Sequence, residues 1–234
     1  MKTLKFGGTS VKDAEMMSRV TEIVKNSNEE QIVVVSAMGG ATDFLLRAAE
    51  KAHLGNSEYK EDFKAFQIRH EEAIDQLFGS EKALALKDEV VQFLEELDNL
   101  FNGIFLTRDI SAKTKDRIVS MGELLSSKII AQNLIENNID AVWLDSRELI
   151  RTDSTFGNAR VDIEETYSNI KFKVKGHQVF VAPGFIARDA AGEASTLGRG
   201  GSDYSAALYA AALDAEVLEI WTDVSGMMTA DPRK

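Results

Sequence analysis

A continuous apolar run, IVVVSA (32–37), is the feature that most constrains the fold of this chain. A strand built from such a run carries apolar side chains on both faces, which is typical of a parallel sheet covered on both sides. Parallel strands need long crossovers, usually helices. The sequence supplies them, because apolar residues recur at helical spacing from Val11 to Asn26 and again from about 114 to 137.

The rest of the chain alternates in the same way. The region from about 42 to 106 has helical patterns, and a helix is also predicted from about Ser202 to Leu213. RTDSTFGNARVD (151–162) is polar and is interpreted as a loop or hairpin. The other predicted strands are TLKF (3–6), AVWLD (141–145), QVFVAPGF (178–185) and VLEIW (217–221). We therefore predict an α/β fold with a largely parallel sheet and a helical insert around 42–137.

Composition excludes several functions. The formal net charge is −11 and no basic run stands out, which disfavours nucleic acid and anionic membranes as partners. The chain has no cysteine, so disulfides and thiolate metal sites are excluded. Its three histidines are scattered, which disfavours a histidine zinc cluster. It shows neither a signal peptide nor an apolar run near the roughly 20 residues of a membrane span. We expect a cytoplasmic protein.

Four of the predicted strands end in turns of similar chemistry. The turns are Gly7-Gly8-Thr9-Ser10, Met38-Gly39-Gly40-Ala41-Thr42, Pro183-Gly184-Phe185 and Thr222-Asp223. In open α/β sheets the ligand crevice lies outside the carboxyl ends of the strands, so these turns could line one anion-binding crevice. None of them matches GxxxxGK[ST] or GxGxxG, which argues against a P-loop protein and a Rossmann dehydrogenase.

Lys5 and the stretch STLGRGGSDYSAA (195–207) are the candidate anion-binding residues. Arg199 offers a planar fork for a carboxylate or phosphate, Ser202 could cap the following helix, and Asp203 suits its first turn. Without a ligand, Lys5 would be a solvated lysine at the end of a strand, and residues 195–207 would be a loop and an ordinary capped helix. An arginine between glycines and beside an aspartate favours a ligand.

Glu123, in SMGELLS (120–126), lies in a mostly apolar helix. A buried carboxylate is costly unless it is paired, so a functional role is one interpretation. An exposed glutamate or a structural ion pair is the other. Asp145 and Arg147 are interpreted as solvated loop residues.

Taken together, six motifs resemble aspartate kinase, a member of the amino acid kinase superfamily. They are KFGGTSV (5–11), VVSAMGGATD (34–43), SMGE (120–123), PGFIARD (183–189), TLGRGGSDYSA (196–206) and WTDVSGMMTADPR (221–233). The resemblance implies a three-layer α/β/α sandwich. It also implies transfer of the ATP γ-phosphoryl group to the β-carboxylate of L-aspartate with Mg²⁺, at the start of lysine, threonine, methionine and isoleucine biosynthesis.

The resemblance also assigns roles to residues. Lys5 is implied to neutralise the transferring phosphoryl group, with Asp203 organising that lysine. Arg199 is implied to clamp the α-carboxylate of aspartate, with Glu123 and Asp203 near its ammonium. The remaining substrate contacts are Ser36, Thr42, Phe185 and Ser202. The implied nucleotide contacts are Gly7, Gly8, Thr9, Thr222, Asp223 and Arg233, and no residue is assigned to a metal.

At two positions the chain departs from the residues common in the family, and its length of 234 residues also affects what we expect. Ser225 and Met228 stand where the family commonly has aspartate and tyrosine. We expect residues 1–234 to form one catalytic domain that lacks its C-terminal part and the regulatory ACT domains. The long helical insert and the residues of the SMGELLS and WTDV motifs favour members fused to homoserine dehydrogenase. The full-length protein is expected to be a homo-oligomer. The alternatives are a sibling kinase acting on glutamate, N-acetylglutamate, UMP or carbamate, and a module that binds without turnover.

Overall fold

A five-stranded parallel sheet forms the centre of the protein, as a computed structural model describing residues 1–27 and 29–222 shows. In spatial order its strands are β3 (Ala141–Trp143), β5 (Val179–Pro183), β2 (Gln31–Val35), β1 (Lys2–Phe6) and β8 (Val217–Trp221). All four strand pairs run parallel. The predicted two-sided burial of the apolar run is confirmed, because every residue of β2 is buried.

Side chains alternate between the two faces of this sheet, and each face has its own core. Val33 and Val35 belong to one hydrophobic cluster, whereas Ile32 and Val34 belong to the other. The first cluster lies between the sheet and helices α1 (Ala14–Lys25), α2 (Ala41–His53), α3 (Tyr59–Leu77), α4 (Ser80–Thr107) and α5 (Ala112–Glu136). The second lies against α6 (Ser146–Leu149), α7 (Ile163–Lys173) and α8 (Gly201–Ala212). The α/β/α sandwich and the helical insert are therefore confirmed.

A second, small sheet lies beside the end of β5. Its strands, in spatial order, are β4 (Arg151–Thr152), β6 (Ile186–Asp189) and β7 (Ala194–Thr196). The segment 151–162 folds back on itself as a hairpin, with a bridge between Thr152 and Val161. Strands β6 and β7 are antiparallel, and β7 is followed directly by the glycine-rich loop that precedes α8.

Within the described part of the chain, none of the helices is long and apolar enough to cross a membrane.

Candidate active site

The carboxyl ends of β1, β2 and β5 open onto one cavity of about 330 Å³. Three of the four predicted turns contribute residues to it, because parallel strands bring their carboxyl ends to the same edge. In the fourth turn, Thr222 does not line the cavity and Asp223 lies outside the described residues. Eight of the predicted site residues line the cavity: Lys5, Gly8, Ser36, Thr42, Glu123, Phe185, Ser202 and Asp203. The glycines of the turns at 39–40 and 198–201 complete much of the wall.

Lys5 enters the cavity from β1 and is held by a carboxylate. It pairs with Val34 of β2 on one side and Ile220 of β8 on the other, and its side chain is only 11% exposed. The ammonium Nζ lies 2.8 Å from Oδ1 of Asp203, which stands in the first turn of α8 and is half exposed. The interpretation of Lys5 as a solvated strand-end lysine is therefore wrong.

Glu123 is buried in the wall of the cavity because α5 approaches the turn after β2 very closely. A Cβ atom on Gly122 would lie 2.9 Å from the Cβ of Ala37, so only glycine fits at this contact. Ser126 secures the approach by donating a hydrogen bond of 2.8 Å to the carbonyl of Ser36. The glycine of the SMGE motif thus permits the close helix approach that brings the neighbouring Glu123 into the cavity wall.

The Glu123 side chain has no ion pair within the described chain, and its Oε2 has no hydrogen-bond partner there. Burial raises the pKa of this carboxyl to about 8, although the backbone N–H of Ala37 partly opposes the shift. The two interpretations without a functional role, an exposed glutamate and a structural ion pair, are therefore wrong. A protonated Glu123 can still accept a hydrogen bond, but it forms an ion pair with a cation only after it releases its proton.

Phe185 forms another part of the wall in a strained backbone conformation. Its φ is 67°, in the left-handed region that aromatic residues avoid, and its N–H donates to Oγ of Ser205. The preceding Gly184 lets β5 approach α8, since a Cβ there would lie 3.0 Å from the Cα of Ser202. The first helical residue of α8 is Gly201, so the prediction that Ser202 caps this helix is wrong; the cap position belongs to Gly200.

Arg199 does not line the cavity, although its neighbours Gly198 and Gly200 do. Its side chain is exposed, and no carboxylate of the described chain forms an ion pair with it. The guanidinium is therefore placed at the rim, on a loop in which both flanking glycines have positive φ.

Four of the predicted nucleotide contacts, Gly7, Gly8, Thr9 and Thr222, lie where β1 and β8 end side by side. The N–H of Gly7 donates to the carbonyl of Trp221, and Thr222 follows directly. Gly8 begins a 3-10 turn in which Thr9 is exposed. Asp223 and Arg233, like Ser225 and Met228, lie outside the described residues.

A dedicated metal centre is absent from residues 1–27 and 29–222, where no three metal-ligating side chains cluster. The carboxylates of the cavity are Glu123 and Asp203. Mg²⁺ usually binds proteins through one or two carboxylates together with substrate phosphates, so the half-exposed Asp203 is the cavity carboxylate that could hold a metal arriving with a nucleotide.

Sequence reasoning missed a clamp behind the cavity. Arg69 of α3 donates from Nη1 to the carbonyl of Gly39 and, at 2.8 Å, from Nη2 to the carbonyl of Lys12. It thereby ties the helical insert to the turn after β2. No motif marks this arginine, because its partners are backbone atoms distant in sequence. Asp145 and Arg147 were also misjudged, since they form a partly buried, bidentate ion pair at the start of α6, in which Arg147 donates from Nε to Oδ1 and from Nη2 to Oδ2.

Comparison with known proteins gives a consistent picture. The model of the amino acid kinase family matches residues 2–234. The chain is 35% identical to lysine-sensitive aspartokinase 3 of Escherichia coli over 232 residues, covering 98% of this chain and 50% of that protein. It is 33% identical to the bifunctional aspartokinase/homoserine dehydrogenase of Buchnera aphidicola, covering 100% of this chain and 29% of that protein.

A comparison with solved structures also finds an aspartokinase. E. coli aspartokinase III in complex with aspartate and ADP superposes with a TM-score of 0.92 at 35% identity, covering 100% of this chain and 51% of that one. The chain thus spans about half the length of the first of these relatives and less of the bifunctional one. Because both kinds of relative match, fusion to homoserine dehydrogenase stays a prediction.

Proposed function

Because the chain belongs to the amino acid kinase family, we propose that it is the catalytic part of an aspartate kinase. The reaction would transfer the γ-phosphoryl group of ATP to the β-carboxylate of L-aspartate, giving 4-phospho-L-aspartate and ADP. The two relatives described above are an aspartokinase and an aspartokinase fused to homoserine dehydrogenase. In the cell this acyl phosphate would open the biosynthesis of the aspartate-derived amino acids.

One observation carries the proposal: Lys5 and the buried Glu123, whose Oε2 has no hydrogen-bond partner in the described chain, line the same glycine-walled cavity. Lys5 can stabilise an anion, and Glu123, once ionised, can stabilise a cation. L-Aspartate has both an ammonium group and carboxylates, whereas acceptors such as N-acetylglutamate and UMP lack the ammonium. The unpaired Glu123 oxygen therefore favours an amino acid with a free amine.

Recognition of L-aspartate would use both ends of the molecule. Arg199, at the rim, would swing its guanidinium onto the α-carboxylate in a bidentate pair. Glu123 and Asp203 would hold the ammonium. The side chains of the wall that would contact the rest of the substrate are Ser36, Thr42, Phe185 and Ser202.

The nucleotide would lie across the ends of β1 and β8. The backbone N–H groups of Gly7, Gly8 and Thr9 would hold its phosphates, and Thr222, Asp223 and Arg233 would contact the remainder. Mg²⁺ bound to the phosphates would neutralise charge as it builds up on the transferring group.

The transfer itself needs no general base. An oxygen of the β-carboxylate attacks the γ-phosphorus while the bond from that phosphorus to the β–γ bridging oxygen breaks, and ADP leaves with the electron pair. The obstacle is bringing two anions together. Lys5 reduces that repulsion, and the ion pair with Asp203 fixes the position of its ammonium group.

The test is formation of a hydroxamate from the acyl phosphate in the presence of hydroxylamine and MgATP. L-Aspartate, L-glutamate and N-acetyl-L-glutamate are compared with the 234-residue chain and with the product of the complete gene. Lys5→Ala should lower kcat by about a hundredfold or more while L-aspartate binding weakens little. Lys2→Ala is the matched control, since Lys2 lies on the same strand and pairs with Glu29 away from the cavity.

Each alternative has its own outcome. A hydroxamate formed with another acceptor and not with L-aspartate would identify a sibling kinase. Calorimetric binding of MgATP or L-aspartate without any hydroxamate, even from the complete gene product, would identify a binding module. Either result would overturn the proposal. Sedimentation of the complete gene product tests the expected homo-oligomer.

A further inference from the structure

Asp116, on the second turn of α5, is a buried carboxylate that the proposed reaction does not use. It is 3% exposed, and no lysine, arginine or histidine of the described chain forms an ion pair with it. Instead Oδ2 accepts hydrogen bonds of 2.8 Å from the N–H groups of Gly157 and Thr196, and Oδ1 accepts one of 3.0 Å from the Thr196 hydroxyl. Burial raises the pKa of Asp116, and these bonds oppose the shift.

The two segments that Asp116 holds lead directly to the cavity. Thr196 ends β7, and the next residues form the glycine loop that carries Arg199. Asn158, beside Gly157, presses against that loop, since a Cβ on Gly198 would lie 2.4 Å from its Oδ1. The starting point of the loop is therefore fixed to α5.

The same helix carries Glu123, seven residues further on. Seven residues span about 10 Å along an α-helix and return to nearly the same face. One helix thus sets the position of Glu123 by its own docking and the position of the Arg199 loop through Asp116.

Resting on the proposed function, we propose that Asp116 is a positioning residue that fixes the separation between Glu123 and the Arg199 loop. This separation sets how far apart the ammonium and α-carboxylate of the acceptor are held. Asp116 thereby contributes to the choice of acceptor without touching it.

The hydrogen-bond pattern makes a specific demand on substitutions. In Asp116→Asn the amide oxygen can take the place of Oδ2 and accept both N–H groups, while the amide nitrogen donates to a reoriented Thr196 hydroxyl. In Asp116→Leu all three bonds are lost and two buried N–H groups are left unsatisfied. The geometry therefore needs an acceptor at this point and not a charge.

Asp189 provides a matched control. It is 2% exposed and likewise accepts three hydrogen bonds, from the N–H groups of Ala191 and Glu193 and from the Ser154 hydroxyl. It holds the turn between β6 and β7, at the end of the hairpin remote from the cavity.

The first measurement is steady-state kinetics for L-aspartate and MgATP. Asp116→Leu should raise the KM for L-aspartate about tenfold or more, with the KM for MgATP within about twofold, and should reduce selectivity over L-glutamate. Asp116→Asn should restore most of the wild-type KM, and Asp189→Leu should leave it within about twofold. Equal changes for both substrates, or equal effects of Leu and Asn, would overturn the inference.

The second measurement is hydrogen exchange, which does not depend on turnover. In Asp116→Leu, loss of protection should extend beyond Gly157 and Thr196 to the amides of Leu197 and Gly201, which bond to Phe185 and Gly198. Loss confined to the first two amides would contradict a positioning role. If the leucine variant does not fold, Thr196→Val removes one bond and should show a smaller change of the same kind. If the wild-type protein makes no aspartyl hydroxamate, the proposed function is wrong. The positioning role of Asp116 is then tested by hydrogen exchange alone.

Discussion

Replacing Glu123 with glutamine should change how the stability of the protein depends on pH. The carboxyl has a pKa of about 8 in the folded protein, against 4.5 for an ordinary glutamate. Between these values the folded state keeps a proton that the unfolded chain has released, so stability falls as pH rises. The slope is about 1.4 kcal/mol per pH unit. Glutamine has nearly the same shape and does not titrate.

The difference in unfolding free energy between Glu123→Gln and wild type should therefore move in favour of the variant by about 3 kcal/mol from pH 5 to pH 7.5. Above pH 8 the difference should level off. Urea denaturation followed by circular dichroism across this range measures it. Glu22→Gln, at an exposed position on α1, controls for the loss of a carboxylate from the surface. A difference that stays flat from pH 5 upward would show that Glu123 is already ionised when buried, and would refute the reasoning.

Three further outcomes follow from the cavity. Because Glu123 must release its proton to pair with an ammonium, the affinity for L-aspartate should rise from pH 6 to pH 8, approaching tenfold per pH unit, with proton release detectable by calorimetry in buffers of different ionisation enthalpy. Arg199→Ala should raise the KM for L-aspartate about tenfold with a smaller effect on kcat, and an unchanged KM would show that Arg199 does not bind this substrate. Gly122→Ala should force α5 away from Ala37 and lower the free energy of unfolding by about 1–3 kcal/mol in thermal or urea denaturation, and unaltered stability would contradict the close approach.

Much of the fold was predictable because strong local patterns coincide with tertiary burial. The apolar run at 32–37 predicts a strand that is buried on both faces, and every residue of β2 is indeed buried. By contrast, β6 and β7 were missed because each is too short to show a period and both end in polar residues. Helix α7 was also missed, although Asp162 caps it by accepting from the N–H of Glu165, a signal that the sequence carries.

The candidate site was predictable to a different degree for different residues. Lys5 and Glu123 lie in motifs beside glycines, which marked them as unusual. Arg69 and Asp116 have no such mark, because what they do depends on backbone groups supplied by remote parts of the chain. Local sequence gives the type of a residue, but the partner of a side chain is decided only when helices and strands pack.

The position of β1 in the sheet has a consequence for how the protein folds. This first strand lies between β2, which follows it closely, and β8, which is at the far end of the described chain. Contacts between such distant segments close long loops, which slows folding. Lys5 can meet Asp203 only after α8 has docked on β1, so partly folded chains contain no complete cavity. Ligands that need this cavity should bind the folded state alone and should therefore stabilise it against global unfolding by mass action.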